Sequence, residues 1–280
     1  MLRVIDAHIH IQPFHMMKPD VQATFWQKKD RAIFESLAAD PSKLLKQMDA
    51  DGIERVGLIN YVSPDVMGFT AEVNDWMVEY ASADPSRLIA FGSVHPQFTS
   101  DVAGETRRIV DLGVRALKIH PPHQVLRANA YLFDQPRLAE LYRVAEEAGI
   151  PVTIHTGTSV FPGARSRLGD PMDVDDVAVD FPKLKILLAH GGRPLWMDAA
   201  FFIVRRHPNV FLEVSGIPPA KLLEYFPRLE EIADKAVWGT DWPSPGVASM
   251  RKNVELFLEL PLPDSAKRKI LYENAARIFR

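Results

Sequence analysis

The chain has no cysteine among its 280 residues. Disulfides, a thiolate nucleophile and cysteine-ligated zinc are therefore excluded, and any metal must be held by His, Asp, Glu or a modified Lys. Positive charge is not in excess either: 33 Lys and Arg are set against 36 Asp and Glu, for a net charge of −3, and both signs are interspersed. A nucleic-acid partner, which needs a basic stripe, is not expected. No run of about 18 apolar residues occurs and the N-terminus lacks a basic region followed by an apolar one, so the expectation is a soluble, cytoplasmic protein with no membrane partner. A G-x-G-x-x-G turn after the first β-rich run, the mark of a dinucleotide-binding open sheet, is also missing.

What is present is a hydrophobic fraction of 47%, enough for a large core. Short β-forming runs recur at Val4–Ala7, Arg55–Tyr61, Leu88–Val94, Val114–Ile119, Pro151–Ile154, Lys185–Ala189, Val210–Glu213 and Ala236–Gly239. Between them lie segments of helical period such as SKLLKQMDADG, DVAGETRRIVDLG, PRLAELYRVAEEAG and DDVAVDFP, several closed by a capping Gly. Alternating strands and helices imply parallel strands joined by crossovers, and eight such units predict a (β/α)8 TIM barrel. No linker, repeat or low-complexity tract divides the chain, so residues 1–280 are expected to form a single domain. The long irregular stretch at about 11–40 is too long for a simple connection and is expected to be a lid or binding loop.

In such barrels chemistry sits at the C-terminal ends of the strands. His8 and His10 leave the first strand in DAHIH, where a spacing of two turns both imidazoles to one face. An H-x-H pair alone is weak evidence for a metal. Here, however, Lys118 and His120 end the fourth strand, His155 the fifth, His190 the sixth and Asp241 the eighth. His8, His10, His155, His190 and Asp241 would thus converge on one rim. Imidazoles with a carboxylate suit a metal such as zinc, manganese or iron.

The motifs DAHIH, IHTG, AHGG and GTDWP in this order, with the closing LYENAARIF, resemble the amidohydrolase superfamily across essentially the whole chain. The branch they resemble includes aminocarboxymuconate-semialdehyde decarboxylase, resorcylate-type decarboxylases and small lactone or amide hydrolases. The resemblance implies that His8, His10, His155 and Asp241 bind a single divalent metal, most often zinc with manganese or iron as alternatives, while His190 assists the chemistry. In two-metal members a lysine near the fourth strand is carboxylated and bridges both ions; Lys118 is read here as unmodified, its ammonium available to a substrate anion.

A metal of this kind lowers the pKa of a bound water to ~7, Asp241 is suited to take the proton, and His190 to orient the water or polarise a carbonyl. The reading is hydrolysis of a small, carboxylated lactone, amide or ester; the alternative is non-oxidative decarboxylation of an aromatic or muconate-type acid. Lys118, His120, Arg165, Arg167, Arg193 and Trp242 are the candidate substrate contacts, the arginines because their planar fork grips a carboxylate. His95 could contact substrate or simply pack, as could Trp196, while His123 and Gln124 belong to the loop of His120. His15 falls in the expected lid and could reach the pocket, and His207 is assigned a structural place. The expected partner is a small-molecule substrate, and a homodimer is compatible with the sequence.

Overall fold

Eight parallel strands, β1 (Ile5–Ile9), β2 (Arg55–Leu58), β3 (Leu88–Gly92), β4 (Ala116–Ile119), β5 (Val152–His155), β6 (Ile186–Ala189), β7 (Val210–Glu213) and β8 (Ala236–Val237), pair in sequence order. The structure, a computed structural model, describes residues 2–27, 29–244 and 247–280. Between β8 and β1 the ring is drawn together by the Ala7 N–H donating to the Trp238 carbonyl (3.0 Å) and the Asp241 N–H donating to the His8 carbonyl (2.8 Å). This is a TIM barrel that fills the whole chain as expected.

The period of two along each strand sorts the side chains. Leu117 and Ile119 of β4, Val152 and Ile154 of β5, and Ile186 and Leu188 of β6 join the outer apolar layer under the helices. Their alternates face the barrel axis. Ile5, Ile89, Phe91, Ala116, Leu187, Phe211 and Val237 fill the lower interior, closed from below by Ile278 and Phe279. One layer up, the same alternation presents Lys118, His155 and Glu213 to the axis. The apolar floor therefore carries a polar ceiling at the C-terminal ends of the strands.

The predicted helices form at Pro41–Asp51, Val102–Leu112, Leu138–Ala148 and Asp173–Asp180. Local signals set their ends: Asp40 accepts from the Ser42 N–H (2.9 Å), Asp101 from the Gly104 N–H (2.8 Å), and Gly52 and Gly149 close helices in the left-handed region.

The first strand ends at Ile9, so His8 lies within it and His10 just beyond, as the sequence leads one to expect. One expectation changes in detail. The 11–40 stretch is largely helical, with a 3-10 turn at Phe14–Met16 and helices at Pro19–Phe25 and Arg31–Ala39. Its aromatics pack together: Phe14 lies 4.9 Å from Trp26, and Phe34 lies 5.2 Å from Trp242. This apolar cluster gives the segment a core of its own against the rim.

Candidate active site

A cavity of about 300 Å³ opens at the C-terminal end of the barrel, a size suited to a small molecule. His8, His10, Lys118, His120, His155, His190, Arg193 and Asp241 all line it. Asp6, buried at the start of the DAHIH motif, anchors this arrangement by accepting from the N–H (2.9 Å) and hydroxyl (2.6 Å) of Thr240. The bond fixes the turn that delivers Asp241, whose backbone sits in the left-handed region at φ 67, as does that of His190. Such a conformation costs a non-glycine residue on the order of 1–3 kcal/mol and persists where the surroundings enforce it.

Asp241 is the hub. Its Oδ1 lies 3.1 Å from His10 Nε2 and 3.4 Å from His8 Nε2, while its Oδ2 lies 3.6 Å from Arg193 Nη2. Burial alone would raise this carboxyl, but the His10 hydrogen bond and the facing charge of Arg193 prevail and hold it well below the usual carboxylate range. It is therefore ionised at neutral pH.

Three of the histidines around it are neutral. Burial, aided by the charge of Lys118 or Arg193, pushes His8, His155 and His190 well below the ordinary imidazole value. Each of two rings has one nitrogen committed elsewhere. His8 Nδ1 lies 2.6 Å from Glu213 Oε2, and His190 Nδ1 donates to the Ser215 carbonyl at 2.9 Å. His190 Nε2 is thereby left as a lone pair.

These donors fit a divalent ion. Ligand atoms of His8, His190 and Asp241 lie within 4.8 Å of one another, and His8 Nε2 and His155 Nε2 are buried without a hydrogen-bond partner among the described residues. His155 stands beside the group, its ring 4.6 Å from that of His190. A buried imidazole nitrogen without a partner is costly in a closed protein site and natural for a metal ligand.

The opposite wall is a stack of imidazoles. His120 lies 3.8 Å from His155 and 3.6 Å from His123, nearly parallel to both. His123 is fixed at both nitrogens, by Tyr61 Oη at 2.7 Å and Ser159 Oγ at 2.6 Å. Burial and the charges of Lys118 and His10 push it down to about 3. Beneath the stack Lys118 is almost fully buried, and its Nζ has no hydrogen-bond partner among the described residues. Burial lowers its pKa against the pull of Glu213 and Asp241.

Other candidates fall elsewhere. Arg165 and Arg167 are exposed and outside the cavity lining; the Arg165 N–H donates to the Pro122 carbonyl (2.9 Å), which pins the loop and leaves the side chain on the surface. Trp242 is buried against Phe34 and does not line the cavity. His15 is exposed, Trp196 lies outside the lining, and His207 pairs with Asp175 (2.7 Å). His95 is held by the Gln124 carbonyl at 3.0 Å. Sequence reasoning passed over Glu213, Ser215, Tyr61 and Ser159. The signal for Glu213 was there: an acidic residue closing the apolar run VFLE at a strand's C-terminal end.

A family model described as Amidohydrolase matches residues 5–280. The chain belongs to the amidohydrolase family. It is 25% identical over 254 residues to a 4-sulfomuconolactone hydrolase of Hydrogenophaga intermedia, covering 84% of this chain and 77% of that protein. It is 23% identical over 248 residues to a 2-amino-3-carboxymuconate-6-semialdehyde decarboxylase of Dictyostelium discoideum, covering 74% and 67%. An uncharacterised TIM-barrel protein of Bordetella bronchiseptica superposes with a TM-score of 0.78 at 24% identity, covering 99% of this chain and 98% of that one. This amidohydrolase is thus a TIM-barrel enzyme of a superfamily whose members bind a divalent metal. No helix among the described residues is long and apolar enough to cross a membrane.

Proposed function

We propose that this amidohydrolase hydrolyses a small lactone, ester or amide bearing a carboxylate or comparable anion. The observation that carries the reading is the pairing, across one small cavity, of an ionised Asp241 with the buried ammonium of Lys118, which has no hydrogen-bond partner among the described residues. His8, His10, His155 and Asp241 would hold one divalent ion, with zinc the first choice for such donors, and His190 would stand beside it. When bound, the ion supplies Lewis acidity and a water of lowered pKa.

The protein's own groups do the rest. Asp241 is a carboxylate at neutral pH and accepts a proton at Oδ1 or Oδ2 before passing it to the leaving group. His190, its Nδ1–H committed to Ser215, presents Nε2 as an acceptor that orients the attacking water. Lys118 and Arg193 hold the substrate anion, with His120 Nδ1, which is also without a partner among the described residues, as a further polar contact. A buried ammonium without a hydrogen-bond partner among the described residues is unfavourable, so an anionic substrate relieves the site as it binds. Gln12 and Phe25 extend the 11–40 segment into the lining, consistent with a cover over the cavity.

The second reading, decarboxylation of a muconate-type or aromatic acid, is favoured by the likeness to the Dictyostelium decarboxylase. A panel of carboxylated lactones, carboxylated phenols and muconate-type acids, run in ¹⁸O-enriched water with the zinc-loaded protein, separates the two. Hydrolysis incorporates one solvent oxygen without gas release. Carbon dioxide release without solvent oxygen in the product would overturn it in favour of the lyase.

A further inference from the structure

The end of β7 and the turn after it, residues 213–216, contribute no atom to the proposed metal set yet touch three of the groups around it. Glu213 Oε2 lies 2.6 Å from His8 Nδ1. The Ser215 carbonyl accepts from His190 Nδ1 at 2.9 Å, and the Ser215 hydroxyl lies 3.1 Å from His8 Nδ1 and 3.0 Å from His190 Nδ1. The Gly216 carbonyl accepts from Arg193 Nε at 2.7 Å. Glu213 is the member whose chemistry decides a proton position.

Its two oxygens have different duties. Oε1 accepts the Ser215 backbone N–H at 2.7 Å, a donor that cannot be turned away, and Oε2 faces His8. The cradle is close: a Cβ on Gly239 would stand 2.6 Å from Glu213 Oε1 and 2.9 Å from His8 Cβ. Because Glu213 is almost fully buried, neither water nor an alternative rotamer can replace the contact.

We infer that Glu213 is a positioning residue: its carboxylate holds the proton of His8 on Nδ1 and so presents Nε2 as a lone pair toward Asp241 and the metal. The inference rests on the metal reading above only for its consequence. The tautomer itself is a property of the protein without metal. A carboxylate that accepts from the far nitrogen fixes a ring's orientation and makes the near nitrogen a better donor to a cation.

Glu213→Gln gives a sharp test, because the Ser215 N–H still requires an acceptor at the Oε1 position. The amide oxygen must take that place, which turns the NH2 toward His8 Nδ1. A donor there demands a lone pair on Nδ1, and the His8 proton moves to Nε2, where it blocks coordination. Long-range ¹H–¹⁵N correlation spectra of the metal-free full chain at pH 8, with His8 assigned through His8→Gln, read the tautomer. Chelator competition with zinc reads the affinity.

The wild type should carry its proton on Nδ1. Glu213→Gln should reverse the tautomer and weaken zinc binding by about 10- to 100-fold, and Glu213→Asp should keep the tautomer and recover part of the affinity. A proton on Nε2 in the wild type overturns the inference, as does a folded Glu213→Gln with unchanged tautomer and zinc affinity. If Glu213→Gln does not fold, the wild-type tautomer and the Glu213→Asp affinity decide. Failure of the wild type to bind zinc, with the Nδ1 proton in place, would fall on the metal reading and leave the positioning intact.

Discussion

Arg193 approaches Asp241 from the side opposite the histidines: Nη2 lies 3.6 Å from Oδ2, whereas His8 and His10 both approach Oδ1. The carboxylate is thus shared between an imidazole cluster and a guanidinium. Gly216 makes room for this, since a Cβ there would stand 2.3 Å from Arg193 Nη2 and 2.8 Å from Asp241 Oδ2, at a backbone φ of 63.

Gly216→Ala should therefore displace Arg193 from Asp241. A misplacement on the order of 1 Å at reacting groups can cost ~10²-fold, so kcat/KM should fall by about that factor while bound metal is retained. Steady-state kinetics with elemental analysis of the same preparation checks it. Unchanged kcat/KM would mean that the Arg193 contact is dispensable.

Lys118→Met should divide function from stability. Loss of the ammonium removes a charge-assisted contact to the substrate anion, about 1.5–3 kcal/mol in kcat/KM, expressed mainly in KM. Yet replacing a buried charge by an apolar side chain of similar volume should raise Tm at pH 7. Burial lowers the folded pKa of Lys118 below its ordinary value of 10.5, so the folded state holds this proton less tightly than the unfolded chain. The penalty is complete below the folded value and fades as pH rises toward the unfolded one. The gain in Tm should accordingly shrink between pH 7 and about 10. A variant less stable than wild type at pH 7 would contradict the account.

The stack carries its own acid sensitivity. His123, held at about 3 in the folded state, must stay neutral there while the unfolded chain takes up a proton near the ordinary 6.5. Its contribution is present above pH 6.5 and is lost on acidification toward 3. Between pH 7 and 5 this one group should account for about 2 kcal/mol of lost stability. Denaturant melts of metal-free wild type and His123→Gln should show that much less pH dependence in the variant. Equal slopes would refute the buried, neutral His123.

Much of this was legible in the sequence because strands and helices announce themselves by different periods, and because a barrel brings strand ends to one rim. His8, His155, His190 and Asp241 were placed by that rule alone. The arginines show its limit: Arg165 and Arg167 follow His155 closely, but backbone bonding of the loop turns them out to solvent, and chain proximity does not encode side-chain direction. Trp242 likewise follows Asp241 and turns into the aromatic cluster of the 11–40 segment. The helices of that segment had their signals, Pro19 and the capping Asp30, but these sit among prolines that also read as loop. Glu213 was overlooked because a single acid in a strand reads equally as a solvent-facing residue until the alternation is anchored to the barrel axis.

His190 and Asp241 divide ligand from chemistry. Asp241→Asn should keep the fold and lose turnover by ~10²–10⁴-fold, since an amide cannot take the proton. His190→Ala should lose turnover to a similar degree while retaining metal, if His190 stands beside the ion. Loss of stoichiometric metal in His190→Ala would place it among the ligands instead, as the close grouping of His8, His190 and Asp241 allows.

The central claim is a single metal centre at the mouth of the barrel, and metal content tests it most directly. Elemental analysis of protein purified without added metal, repeated after zinc reconstitution and desalting, should give close to one divalent ion per chain, falling toward zero in His155→Ala. A reproducible value near two, with an added carboxylate on Lys118, would contradict the single-ion account, as would a value near zero after reconstitution.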